Sequence, residues 1–245
     1  VVDADLSKYF DTIPHAELMQ CVARRIVDGK VLHLIKMWLT AAVMERDEEG
    51  NWRNGGRNER GTPQGGVISP LLANLYMNRF LKYWREQGKG KQWQAAMVTY
   101  ADDFVILLKR TPGRRTAEQA RGWTREVMSR IGLSLNEQKT SIRDALAEDF
   151  DFLGYTFGPR YWWENGKAYT AARPSKKSIQ RLTDGVHELL CPGEKGTWEE
   201  VCKGLNAKLR GWCNYFNYGT LSRAYEIVNR YVDQRVRLFL RRRHQ

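Results

Sequence analysis

Residues 95–108 read AAMVTYADDFVILL, which places two adjacent acids, Asp102 and Asp103, between two apolar runs. The apolar runs predict two strands that meet at a tight turn, with the acids at its tip. Adjacent carboxylates in such a turn repel each other and gain nothing unless a cation bridges them. A turn with two solvated acids is the alternative, and this short motif alone does not decide between the two.

Paired carboxylates suit a metal-dependent nucleotidyl transfer. Two divalent cations activate the attacking hydroxyl and carry the charge of the leaving pyrophosphate, and such cations prefer oxygen ligands. A third carboxylate must then come from a distant segment, and we select Asp5 in the strand-like residues 1–6, with Asp3 as its rival. The sequence thus predicts two Mg²⁺ ions, or Mn²⁺ as an alternative, held by Asp5, Asp102 and Asp103.

The composition indicates a globular protein that attracts polyanions. The 245 residues are 42% hydrophobic and 28% charged, with a net charge of +12. Residues 173–245 hold 15 Lys and Arg against 7 Asp and Glu, so +8 of this charge lies there. Counterion release then makes nucleic acid the leading partner, and an ordinary basic enzyme is the alternative.

Targeting and cysteine patterns point to a cytoplasmic protein. The four cysteines include no C-x-x-C pair, so we expect reduced thiols and no zinc site. The chain has no signal-like start and no apolar run of about 18 residues, so no membrane partner is expected. We expect a bacterial cytoplasmic setting, with an organelle as the alternative. The start at a strand without Met predicts a fragment or a processed piece.

Hydrophobic periodicity predicts an α+β fold. We expect a strand at residues 1–6, helices over 14–26, 31–42, 71–81 and 116–132, a hairpin over 42–60, and strand-like order over 133–142 and 150–157. Beyond a boundary near Pro174 the pattern is helical, over 176–190, 198–216 and 221–243. On the last helix, arginines recur at intervals of seven, seven and four residues and form a stripe: Arg223, Arg230, Arg237 and Arg241. We expect this stripe to contact phosphates, and a solvated face is the alternative.

Six segments together resemble the reverse transcriptase and maturase of group II introns. In chain order they are residues 5–15 (DLSKYFDTIPH), 61–70 (GTPQGGVISP), 100–103 (YADD), 132–140 (GLSLNEQKT), 152–154 (FLG) and 209–216 (LRGWCNYF). The resemblance covers essentially the whole chain. It implies a right-hand polymerase palm, an antiparallel sheet packed on helices, over residues 1–172, followed by a three-helix thumb, or maturase domain, over 173–245.

The resemblance assigns roles around the three acids. Asp5 is favoured over Asp3 because an aromatic, Phe10, follows it after five residues. Asp5 and Asp102 are then the main metal ligands, and Asp103 supports them. Phe10 is expected to stack beneath the sugar of the incoming nucleotide and to exclude a 2′-hydroxyl, or else to be an ordinary buried side chain. Lys139 is expected near the leaving pyrophosphate, with a solvated lysine as the alternative.

Further roles concern the nucleic acid. Gln64 and Gly65, with Gly66, are expected to let the backbone approach nucleotide and template, and Leu153 with Gly154 is expected to grip the primer. Arg210 lies among aromatics that form either a base-stacking platform or core, and core is the default for Trp212. With Arg223, Arg230 and Arg237, Arg210 is expected to bind RNA.

The resemblance implies an RNA-directed DNA polymerase of a group II intron, with a thumb that assists splicing and mobility. The expected partners are intron RNA or another RNA template, a DNA primer and deoxynucleoside triphosphates; the oligomeric state is left open. The motifs begin after the fingers region of the family, so inactivity of the chain alone stays an open alternative. A non-catalytic RNA-binding maturase and an RNA-templated RNA polymerase are the other interpretations, and Phe10 with the maturase-like segment disfavours the latter.

Overall fold

The computed structural model describes residues 1–46, 50–63, 65–109, 115–162, 164–191, 193 and 196–243, with only the backbone described for 43–46 and 52–57. The chain divides into two compact units, Val1–Ile142 and Arg143–Gln245. Each unit packs helices with antiparallel strands, so the predicted α+β class is confirmed.

The first unit has six helices and six strands among its described residues. The helices are α1 (Tyr9–Thr12), α2 (His15–Ala23), α3 (Gly29–Thr40), α4 (Ser69–Glu86), α5 (Lys89–Gln92) and α6 (Arg115–Arg130). The strands are β1 (Val2–Ala4), β2 (Ala42–Arg46), β3 (Trp52–Arg57), β4 (Ala95–Tyr100), β5 (Asp103–Leu108) and β6 (Ser141–Ile142).

A four-stranded antiparallel sheet in the order β4-β5-β1-β6 organises this unit, and β2 and β3 form a separate hairpin. Val2 and Ala4 of β1 lie opposite Ile106 and Phe104 of β5, and all four side chains are buried. Alternation along the strands leaves the intervening residues on the other face of the sheet.

Helices α4 and α6 pack against the face of the sheet that carries Val2, Ala4, Phe104 and Ile106. Tyr76 and Phe80 of α4 are fully buried, and Phe80 packs against Phe104 with ring centroids 5.2 Å apart. Gly132, at φ 74, ends α6 as predicted, because the left-handed residue lets the Leu133 amide donate back to the Met128 carbonyl.

The second unit contains a three-stranded antiparallel sheet and three helices, which are β7 (Phe150–Phe152), β8 (Tyr155–Tyr161), β9 (Ala168–Pro174), α7 (Lys176–Leu189), α8 (Trp198–Tyr215) and α9 (Ser222–Arg243). Leu182, Val186, Leu205 and Val228 pack the helices around one apolar core. The three predicted helices are confirmed. The division into a palm of 1–172 and a thumb of 173–245 stays a prediction.

Two strand predictions are wrong in part. Residues 133–142 do not form one continuous strand. Leu135 makes an isolated bridge with Leu6, Asn136 then accepts the amides of Gln138 and Lys139 and closes a turn, and strand pairing resumes at β6. Residues 150–157 form two strands, because Leu153 and Gly154 both have positive φ and reverse the chain. The short helices α1 and α5 and the strand β9 were not predicted.

None of the described helices is long and apolar enough to cross a membrane.

Candidate active site

The predicted acid-bearing hairpin is present. Strands β4 and β5 pair from Ala95 with Leu108 up to Tyr100 with Asp103, so Ala101 and Asp102 form a two-residue loop. Ala101 takes φ 52, which suits the first position of a tight hairpin turn. The hairpin therefore holds Asp102 at its tip and Asp103 at the first position of β5.

Backbone pairing brings Asp5 to the same end of the sheet. Ala4 lies opposite Phe104, and the same antiparallel register continued by one residue sets Asp5 beside Asp103. On the other side of Asp5, its carbonyl accepts the Asn136 amide at 2.8 Å, and its amide lies 3.4 Å from the Thr140 hydroxyl. The first and fourth predicted motifs are thus held together by the main chain.

The three carboxylates influence one another. Partial desolvation, followed by the charges of Asp102 and Asp5, raises the pKa of Asp103 above its ordinary value, and the charge of Lys139 opposes this rise. Lys139 Nζ lies 3.7 Å from Asp5 Oδ2 and is well exposed. The turn closed by Asn136 therefore places a cation, Lys139, beside the acids.

The donor set has the chemistry that Mg²⁺ requires. Mg²⁺ keeps several waters and commonly takes one or two carboxylates together with substrate phosphates. Among the described residues, no group of three or more His, Cys, Asp and Glu side chains converges closely enough to hold a metal ion by itself. The carboxylates of Asp5, Asp102 and Asp103 are oxygen ligands of the type that Mg²⁺ takes, and their binding of an ion stays a prediction.

Tyr9 is a residue of this site that the sequence did not single out. Its hydroxyl donates to the Ala73 carbonyl at 2.5 Å, and its side chain is buried. Burial, followed by the charge of Asp102, raises the pKa of Tyr9, so the phenol stays protonated near the acids. Phe10 is half-buried and packs edge-on against Tyr9 at 5.5 Å. The one sequence signal for Tyr9 is its position directly before Phe10, the aromatic residue that was predicted to contact the nucleotide sugar.

Gly61 joins the first and second motifs. Its amide donates to the Ile13 carbonyl at 2.7 Å, and the Thr62 amide donates to the Phe10 carbonyl at 2.6 Å. Gly61 has φ +83, and a Cβ there would lie 2.5 Å from the Phe10 carbonyl oxygen. Glycine is therefore required at this close approach of two backbone segments.

The glycine-rich loop continues from this junction. Gly65 has φ +87, is exposed, and a Cβ built on it would meet nothing within 4 Å. Its predicted contact with nucleotide and template stays a prediction. Gln64 lies outside the described residues.

Leu153 and Gly154 form the turn between β7 and β8 in the second unit. Their carbonyls are held by side chains: Leu153 accepts the Tyr215 hydroxyl at 2.8 Å, and Gly154 accepts the Ser178 hydroxyl at 2.8 Å. The turn is thus locked onto α7 and α8. Its predicted contact with a primer stays a prediction.

The predicted RNA-binding arginines are exposed on two helices of the second unit. Arg210 lies on α8, and Arg223, Arg230 and Arg237 lie along α9. The Arg237 guanidinium donates to Asp233 at 3.0 Å. Trp212 is half-buried and packs on Phe216 with ring centroids 5.0 Å apart, so most of its ring lies in core, as expected by default. The four arginines are thus exposed to solvent, and their contact with RNA phosphates stays a prediction.

An antiparallel sheet backed by helices, with acids from two neighbouring strands at one end, is the palm of a template-directed nucleic-acid polymerase. A family model described as reverse transcriptase (RNA-dependent DNA polymerase) matches residues 1–157. A second, the maturase-specific domain of group II introns, matches residues 179–245. The chain belongs to the reverse transcriptase family, in the branch that carries a group II intron maturase domain.

Individual relatives agree with this assignment. The group II intron-encoded protein LtrA of Lactococcus lactis subsp. cremoris is 38% identical, over 88% of this chain and 48% of that protein. Protein YkfC of Escherichia coli K12 is 35% identical, over 63% of this chain and 46% of its own length. The chain thus spans about half the length of these relatives.

A solved structure supports the fold. A telomerase from Candida albicans, in complex with a fragment of telomeric RNA, matches with a TM-score of 0.53 and 15% identity, covering 94% of this chain and 40% of that one. At this identity the likeness concerns the fold alone. It agrees with a polymerase palm.

Proposed function

We propose that this chain is the catalytic and RNA-binding part of an RNA-directed DNA polymerase that extends a DNA primer on group II intron RNA or another RNA template. The observation that carries the proposal is the meeting of Asp5, Asp102 and Asp103 at one end of the sheet, where partial burial and then the charges of Asp102 and Asp5 raise the pKa of Asp103. Two divalent cations bound there, Mg²⁺ or Mn²⁺, would activate the primer hydroxyl and carry the charge of the leaving pyrophosphate.

The chain's own residues then have distinct tasks. Asp5 and Asp102 hold the cations, and Asp103 adds negative charge beside them. Lys139, 3.7 Å from Asp5, supplies a cation and a proton donor for the pyrophosphate. Phe10, wedged edge-on against Tyr9, supports the sugar of a deoxynucleoside triphosphate from below.

The second unit supplies nucleic-acid contacts in this proposal. The rigid turn at Leu153 and Gly154 grips the primer, and the exposed arginines of α8 and α9 bind phosphates of the RNA. We place the boundary between palm and thumb at 172/173, within β9 and shortly before α7 begins at Lys176, whereas the two compact units divide at Ile142 and Arg143. Splicing assistance by the thumb rests on the maturase match to residues 179–245.

A non-catalytic maturase that uses the palm as a scaffold is the second candidate, because the same arginines serve RNA binding without chemistry. The two differ in whether the acids are needed. A scaffold gains nothing from clustered carboxylates, since they only weaken RNA binding through repulsion of phosphates.

The test is primer extension by the full-length gene product on an RNA template, with Mg²⁺ and deoxynucleotides. The variant Asp102→Asn/Asp103→Asn should lose extension by at least a hundredfold, because removal of one electrostatic catalytic group costs on the order of 10²–10³ in rate. Glu59→Gln/Glu118→Gln, which neutralises two exposed acids of the same unit, is the matched control.

RNA binding and splicing by the same variants separate the two candidates. Lost extension with retained RNA binding supports the polymerase. Equal extension by wild type and the Asp variant contradicts the metal assignment. RNA binding and splicing without any extension by the wild type favours the maturase.

The arginines of α9 are tested separately. Arg223→Gln/Arg230→Gln/Arg237→Gln should weaken RNA binding and reduce its salt slope by about 0.7 for each lost phosphate contact on single strands. An unchanged affinity and slope would mean that the stripe is only a solvated face.

A further inference from the structure

A pocket of about 280 Å³ lies between α2 and α4, and four of its seven lining residues are cations. Arg24 and Arg25 come from the end of α2, while Arg79 and Lys82 come from α4. No acid is among the seven lining residues. None of them belongs to the predicted active site or to the arginines of α8 and α9.

Helical spacing explains why the cations converge. Leu75, Asn78, Arg79 and Lys82 recur at intervals of three, one and three residues, so they share one side of α4. Between them, Tyr76, Met77 and Phe80 are buried in the core of the unit. The core therefore fixes which side of α4 faces the pocket.

Two of the guanidinium groups are held in place. Arg79 Nη1 donates to the Tyr76 hydroxyl at 3.0 Å, and Arg79 Cζ lies 5.2 Å from the centroid of the Tyr76 ring. The Tyr76 hydroxyl in turn donates to the Ile131 carbonyl at 2.5 Å. Arg25 Nη1 donates to the Cys21 carbonyl at 3.2 Å. Each guanidinium has five N–H donors, so both retain donors for a ligand.

Within the described part of the chain, one ion pair, formed by Lys82, offsets this positive charge. Lys82 pairs with Glu86 at 3.4 Å, both exposed, and the charge of Glu17 acts on the Tyr76 hydroxyl. The C-terminus of α2 favours a nearby cation, which accounts for Arg25. Arg79 comes from the middle of α4, where no helix end favours a cation, so helix capping does not explain the cluster.

We infer that this pocket binds one phosphate of single-stranded RNA, with its ribose against the apolar floor made by Leu75 and Cys21; this rests on the proposed RNA-binding function. Guanidinium forks match phosphate oxygens bidentately. The volume is at the lower end for small-ligand pockets, so it admits a phosphate and sugar but neither a helix nor a duplex. The alkyl stems of the four cations extend the apolar floor.

The binding site gives the palm a second hold on RNA. A strand anchored between α2 and α4 need not pass through the active site, so the pocket acts on affinity and placement of the RNA and takes no part in the chemical step. Loss of the pocket should therefore raise the concentration of RNA needed for extension, with the rate at saturating RNA unchanged.

The test is fluorescence anisotropy of the full chain with a labelled oligouridylate of about 16 nucleotides, a length that spans one single-strand site. Arg24→Gln/Lys82→Gln should raise the Kd about tenfold and lower the salt slope by about 0.7, which corresponds to loss of the one phosphate bound in the pocket. Lys36→Gln/Lys91→Gln removes the same charge from exposed positions outside the pocket and should change the Kd less than twofold.

Two further measurements locate the effect. Arg79→Lys keeps the positive charge but loses the two-pronged guanidinium group. Its Kd should therefore lie between that of the wild type and that of the double variant. An oligonucleotide that carries 4-thiouridine should crosslink to α2 or α4, and the double variant should lose that crosslink. Thermal unfolding of each variant confirms that it folds.

Several results would overturn the inference. Equal Kd values for the pocket and control pairs would do so, as would wild-type crosslinks confined to α8 and α9. Displacement of the RNA by poly-glutamate as effectively as by unlabelled RNA would reassign the pocket to an acidic peptide. If the wild type binds no RNA, the proposed function fails as well; if the pocket variant binds RNA with the Kd of the wild type, only the inference fails.

Discussion

Replacement of Gly61 by alanine should destabilise the first unit by about 2–5 kcal/mol. Gly61 has φ +83, and a Cβ at this position would lie 2.5 Å from the Phe10 carbonyl oxygen and 2.7 Å from Asp11 Cα. Both neighbours are backbone atoms, so no side chain can rotate to relieve the contact. The chain between the first two motifs must move instead.

The magnitude follows from two contributions. A non-glycine residue in the left-handed region costs about 1–2 kcal/mol. The forced movement also weakens two hydrogen bonds, Gly61 amide to Ile13 carbonyl at 2.7 Å and Thr62 amide to Phe10 carbonyl at 2.6 Å. Each contributes about 0.5–1.5 kcal/mol, so the total is about 2–5 kcal/mol.

Native-state hydrogen exchange of peptides from β4, β5 and α4 is the appropriate assay, because it reports the stability of this unit separately. Gly65→Ala is the matched control: Gly65 has φ +87, but a Cβ there meets nothing within 4 Å. We expect this control to show only the backbone cost of about 1–2 kcal/mol. Equal losses of protection in the two variants would refute the close-approach reasoning.

Three other changes have defined outcomes. Tyr9→Phe removes the donor to the Ala73 carbonyl and should cost about 1–3 kcal/mol in urea unfolding. Because the folded pKa of Asp103 is raised, ionisation destabilises the fold as pH rises through the raised value. Asp103→Asn should therefore be more stable than wild type by a few tenths of a kcal/mol at neutral pH without metal, less so in acid, and Mg²⁺ should reverse the order by stabilising the wild type. Thr197→Ala removes the capping box with Glu200 and should lower the Tm by an amount equivalent to about 1 kcal/mol.

The parts of the fold predicted from sequence are those that local pattern determines. The hairpin at Asp102 followed from apolar runs on both sides of a polar pair, and α7 to α9 followed from a sustained helical period. Local signals also mark their ends, as Ser175 does by capping α7 and Thr197 by capping α8. In α7 and α8, the hydrophobic periodicity and the capping residue indicate the same start of the helix.

The parts that could not be predicted depend on contacts distant in sequence. The pairing of β1 with β5, which sets Asp5 beside Asp103, joins residues a hundred or more positions apart. The turn closed by Asn136 looked like a strand because its neighbours alternate, and only its pairing partner shows where β6 begins. Tyr9 was missed for the same reason, since its partner Ala73 lies 64 residues away.

The charge balance at the sheet end argues for function over a solvated turn. Lys139 is one positive charge against three carboxylates, and partial burial followed by the charges of Asp102 and Asp5 raises the pKa of Asp103 despite it. Solvated acids with no task could separate into water, but the backbone pairing of Asp5 and the two-residue loop at Asp102 hold them together. An arrangement that costs stability and is fixed by the main chain is expected where a ligand supplies the missing charge. The proposed cations supply that charge. Their binding is tested directly by the prediction that Asp103→Asn is more stable than the wild type without metal and less stable with Mg²⁺.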